Sequence, residues 1–117
     1  MGDRVLFQVV GESQGELEFS PVIYGHWAGS AAPGIVAQLG VQMKNRRGDV
    51  NYWAARLVEI LCSADPGGDL SVGIWNADHI LTARDSHGDA GVVLINADNG
   101  QAMYLGGYLD AAGREVA

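Results

Sequence analysis

The most unusual local composition in the chain is Tyr24-Gly25-His26-Trp27, where a β-branched run, Val22-Ile23, gives way to glycines and a helix-start signal. An imidazole titrates near neutral pH, and a phenol or indole beside it offers a stacking wall. The group therefore suits proton transfer or capture of a ring-bearing ligand. The same residues suit an architectural part equally, with Trp27 covering the core and His26 holding a main-chain carbonyl at the strand-helix joint. Arg56, on the second predicted helix, is the cation that could complete a ligand site with Tyr24, His26 and Trp27.

A second concentration lies at Asp78-His79 and Asp85-Ser86-His87-Gly88-Asp89, two imidazoles and three carboxylates in a polar stretch. Those groups are ligand types for zinc, magnesium or calcium. The spacing matches neither a His-Glu-x-x-His helix nor a calcium loop closed by glutamate, so no metal and no cofactor is expected. Ser20, Ser30 and Cys62 lack the strand-to-helix elbow of an activated nucleophile. Gly67-Gly68 and Gly106-Gly107 lack the Lys-Ser/Thr of a phosphate loop. No catalytic role is assigned to any residue, and a non-enzymatic protein is the expectation.

The elements that must position these groups follow from periodicity. Arg4 to Val10 alternates Val5, Phe7 and Val9 against Leu6, Gln8 and Val10, a first strand; Glu16 to Tyr24 is a second, with a break at Pro21, which cannot donate to a ladder. Ser30 offers an N-cap, and Ala32, Ile35, Val36, Leu39 and Met43 recur at helical spacing. Asp49 caps a second helix, with Val50, Ala54, Leu57, Val58 and Leu61 on one face and Pro66-Gly67-Gly68 as its stop. Strands are predicted at Leu70 to Asn76, Gly91 to Ala97 and Gln101 to Gly106, with a further short one at His79 to Ala83. Asn99-Gly100 suggests a type I′ turn between the last two strands. The order ββααβββ predicts an α+β domain spanning residues 1–117, with a mostly antiparallel sheet of about five strands and two helices on one face.

The charge is lopsided. The chain of 117 residues carries a net −7, and between Asp65 and Asp110 seven acids face one base, Arg84. That balance argues against nucleic acid as a direct ligand, which needs clustered cations. It suits an anionic surface, with Asp78, Asp85, Asp89 and Asp98 as candidate partner contacts. Absence of a bilayer-length apolar run or a signal-peptide core at the N-terminus, and a single cysteine, point to a soluble cytoplasmic protein.

Tyr24-x-His26-Trp27-x-Gly29, followed by Asp49-x-x-Tyr52-x-x-Ala55-Arg56 and a glycine-containing strand, resembles a group of uncharacterised small phage and prophage proteins, found also in other mobile elements. The resemblance covers roughly residues 4–75. Members often carry an acidic residue where this chain has Ala28, and no activity is assigned to the group. The resemblance therefore implies a genetic setting and not a catalytic site. Together with the acidic half, it leads to the expectation of a partner-binding protein, in particular a counter-defence inhibitor of the anti-CRISPR kind that mimics nucleic acid before a host protein's cationic groove. Two other readings stay open: a small-ligand or enzymatic site at the His26/Trp27 junction, and a homo-oligomer joined through a strand edge or aromatic patch.

Overall fold

The computed structural model describes residues 2–64 and 71–110. Its elements are β1 (Val5–Ser13), β2 (Glu16–Phe19), β3 (Val22–Gly25), α1 (Ala32–Gln42), α2 (Val50–Ala64), β4 (Val72–Trp75), a 3-10 turn (Ala83–Asp85), β5 (Gly91–Asn96) and β6 (Ala102–Leu105). The second predicted strand is broken as expected. Its first half pairs with the far end of β1, and Pro21 separates it from β3, which pairs with the near end. The helix stop at Pro66-Gly67-Gly68, Leu70 and the tail from Gly113 lie outside the described residues.

The sheet is mixed, not mostly antiparallel, and has six strands among the described residues. Their order is β4-β3-β1-β5-β6, with β2 pairing beside β1. The departure is the central pair, since β1 and β5 run parallel over six residue pairs from Val5↔Gly91 to Val10↔Asn96. A parallel neighbour requires the chain to cross the sheet between strands and leaves both strands covered on both faces. The core shows this coverage. Val5, Phe7, Val9, Val93 and Ile95 pack under the helices with Leu39, Trp53, Leu57 and Leu61. On the opposite face Leu6, Val22 and Val92 pack against Leu81. Both helices do lie on one face. The other is covered by residues 76–90, which form a strap where a short strand at His79 to Ala83 was expected.

Two local expectations are corrected. Asn99 does not adopt positive φ, so Asn99-Gly100 is not the type I′ turn; that conformation belongs to Gln14 and Gly15, at φ 53° and 82°. Ser30 does not cap α1 with its side chain. Ala31 holds the cap position without a side-chain bond, and the Asp3 carboxylate accepts the Ser30 N–H at 2.7 Å. Asp49 does serve α2, accepting the Tyr52 N–H at 3.2 Å. Among the described residues no helix is long and apolar enough to cross a membrane.

Candidate functional site

Most of the residues with chemistry gather on the strap face of the sheet. Gln8, fully buried in β1, is what seats the strap. Its Oε1 accepts the Leu81 N–H at 2.8 Å, and its Nε2 donates to the His79 carbonyl at 3.1 Å and the Ser20 carbonyl at 3.0 Å. The 3-10 turn then reverses the strap. Thr82 accepts the Arg84 N–H, and Asp85 accepts the Thr82 N–H at 2.8 Å, a reciprocal cap.

This brings His87 over the end of β4. The His87 and Trp75 rings stack at 5.9 Å and 15°, Tyr24 lies 5.8 Å from Trp75 and 6.0 Å from His87, and the Tyr24 hydroxyl bonds His26 Nδ1 at 2.6 Å. Trp27 stands edge-on to His26 at 4.9 Å. It does not cover the core, being 39% exposed, much like Trp75 at 41%. Five aromatic or imidazole side chains from three segments thus form one continuous, partly open cluster.

Three of the four predicted acids ring that cluster. Asp78 and Asp85 line a cleft of about 150 Å³ with Trp75, His79 and His87. Asp89 lines an adjoining hollow of about 290 Å³ with Gly2, Arg4 and His26. Asp89 is matched by Arg4, whose main-chain N–H and Nε both reach it at 3.0 Å. The Arg4 main-chain hydrogen bond, then the guanidinium, hold its carboxyl below the usual range. Asp98 is elsewhere. It follows β5 and accepts the Glu12 N–H at 2.9 Å, whereas Asp89 precedes that strand, so the four do not form one surface. Arg56 is also apart from Tyr24, His26 and Trp27. It projects from α2, on the other side of the sheet, bonds Glu59 at 3.4 Å and lies 5.3 Å from the Tyr52 ring.

His79 is held at both nitrogens, Nδ1 by Asp78 at 2.5 Å and Nε2 by Asp85 at 3.2 Å. Both contacts need a donor on the ring, which favours imidazolium. The bond to Asp78 and then that to Asp85 raise the His79 pKa above 6.5. The His79 bond lowers Asp78, and the Thr82 main-chain N–H followed by His79 lowers Asp85. The histidine's contribution to stability is therefore complete below 6.5 and lost as pH rises through the raised value. The aspartates contribute above 3.8 and lose that contribution as pH falls through their lowered values. Unfolding midpoints at about pH 6 and about pH 8.5 should show an alkaline loss of stability that His79→Gln removes. Among the described residues no group of three or more His, Cys, Asp or Glu is disposed to hold a metal ion.

The sequence pointed to Tyr24, His26 and Trp27, and separately to His87 among ligand-type residues without linking it to them, but missed Trp75, Arg4 and Gln8 as parts of the site. Gln8 had a visible signal, a lone amide in an otherwise apolar strand. Comparison of the chain with family models, curated proteins and solved structures found no match.

Proposed function

We propose that this is a small partner-binding protein of the phage or mobile-element type, whose contact surface is the Tyr24, His26, Trp27, Trp75 and His87 cluster with Asp78, Asp85 and Asp89 at its rim. The observation that carries the reading is the convergence of two exposed indoles with flanking imidazoles inside a margin whose three carboxylates outnumber the two cations paired with them, His79 and Arg4. Aromatic centres with charged rims are the composition of protein interfaces, in which a few large rings supply most of the affinity. An acidic rim selects a partner with a cationic margin and speeds encounter with it. Nucleic-acid-handling proteins present such margins, so competition for a nucleic-acid groove, as by a counter-defence inhibitor, is the activity proposed. Asp78, although bonded to His79, has 94% of its side chain exposed and is the rim carboxylate a partner reaches most readily.

The test is inhibition of nucleic-acid binding by purified CRISPR effector complexes. Trp75→Ala and Asp78→Lys should each weaken inhibition by about tenfold or more, while Arg56→Ala leaves it unchanged. Inhibition indifferent to Trp75 and Asp78, or none at all, would overturn the reading. A second reading rests on the 2.6 Å Tyr24-His26 bond beside the Arg4 and Asp89 hollow. It predicts a small ligand whose binding is lost in His26→Ala and kept in Trp75→Ala.

A further inference from the structure

Resting on that binding reading, we infer that the edge of β4 that no described strand pairs is a strand-addition site for an extended partner segment in which aliphatic and cationic residues alternate. β4 ends the sheet, with β3 as its only strand neighbour among the described residues. The His26 N–H donates to the Ser71 carbonyl at 2.9 Å, which fixes the parity of the antiparallel ladder. In the register Tyr24↔Gly73 and Val22↔Trp75, Gly73 and Trp75 turn their main-chain groups toward β3. The N–H and C=O of Val72 and Ile74 therefore point outward, off the sheet.

Natural edges are blunted with charge, proline or a bulge. Val72-Gly73-Ile74-Trp75 carries neither charge nor proline, and its four residues pair with β3 in unbroken register. Its two sides differ in a way that specifies an occupant. On the helix side Ile74, 56% exposed, lines an apolar groove of about 100 Å³ with Ile23, Ala54, Ala55 and Val58. On the strap side Trp75 borders the cleft lined by Asp78 and Asp85. An added strand places alternate side chains on alternate sides, so one set enters the apolar groove and the other lies by the indole. Arginine or lysine suits that second position, where the indole and the two carboxylates, which exceed the single charge of the His79 between them, attract a cation. A second copy of β4 fits poorly, because it would set another indole where a cation is wanted, and two chains of net −7 repel.

The probe is a capped hexapeptide alternating valine and arginine, added to the intact protein. Binding should slow exchange of the Val72 and Ile74 amide protons by about tenfold or more. It should weaken about tenfold or more when arginine is replaced by glutamate, and likewise when the peptide amides facing β4 are N-methylated. Equal binding of the N-methylated or glutamate peptide, or no binding of the arginine peptide, overturns strand addition. If effector inhibition still depends on Trp75 and Asp78 in that event, the binding reading survives its loss. Concentration-dependent dimers abolished by Ile74→Pro would identify a second copy as the occupant and also overturn the inference.

Discussion

Gln8→Ala is expected to lower stability by about 3 kcal/mol and to release the strap while leaving the helix face of the sheet intact. Gln8 is 0% exposed and spends its side chain on three main-chain groups: Leu81 N–H and the carbonyls of His79 and Ser20. Truncation leaves that donor and those acceptors without their partner. A buried polar group left so costs about 1–3 kcal/mol, reduced here where water can reach the freed strap. Gln8→Met, which keeps the length but not the amide, should cost nearly as much, separating hydrogen bonding from volume. Urea midpoints measure the loss, and exchange of the Leu81 amide locates it. Because His79, Asp85 and His87 all ride on the strap, the variant should also lose the proposed partner and peptide binding. A Leu81 amide as protected as in the wild type would show that the strap is held by something other than Gln8.

The helices and the folded-over order of elements were legible because their signals are local. Val50 to Leu61 keeps one apolar face, and Asp49 stands where a cap belongs. The direction of β5 was less legible, yet it left a trace. Val92-Val93-Leu94-Ile95 is continuously apolar, the pattern of a strand covered on both faces, whereas a half-exposed antiparallel strand alternates. Asn99-Gly100 misled because a dipeptide preference describes a turn in isolation. Here the Gly100 N–H bonds the Asn96 carbonyl at 2.7 Å in a longer connection. The site was half legible for a related reason. Tyr24, His26 and Trp27 are adjacent in sequence, but Trp75 and His87 reach them only through sheet register and a crossing strap, neither of which leaves a local mark. The acids misled in a third way. Composition counts charges without their partners: Asp89 is matched by Arg4, Asp78 and Asp85 share His79, and Asp98 serves the opposite end of β5.

Gly91→Ala should prove comparably damaging, at about 4 kcal/mol, although it adds a single methyl group. Gly91 has φ +94°, a backbone conformation that costs an L-residue about 1–3 kcal/mol. The added Cβ would lie 2.3 Å from the Leu105 carbonyl oxygen and 2.7 Å from the Gly107 nitrogen. Both are main-chain atoms of the adjoining strand end and cannot rotate away, so an overpacking cost of about 1–3 kcal/mol adds to the strain. The total is a large share of the roughly 5–15 kcal/mol that holds a typical domain together. Relief requires β5 and β6 to part or residues 89–91 to move, and Ala90 N–H bonds the Arg4 carbonyl at 3.1 Å. Either movement loosens the Arg4-Asp89 corner, so the Asp89 carboxyl should titrate nearer its ordinary range than in the wild type. Gly34→Ala is the control. Its Cβ meets nothing within 4 Å inside α1, so it should stabilise the protein by up to about 1 kcal/mol through helix propensity. Should Gly91→Ala unfold at the wild-type midpoint while Gly34→Ala rises as expected, the corner that carries Asp89 yields easily, and the acidic rim is not preorganised by the sheet.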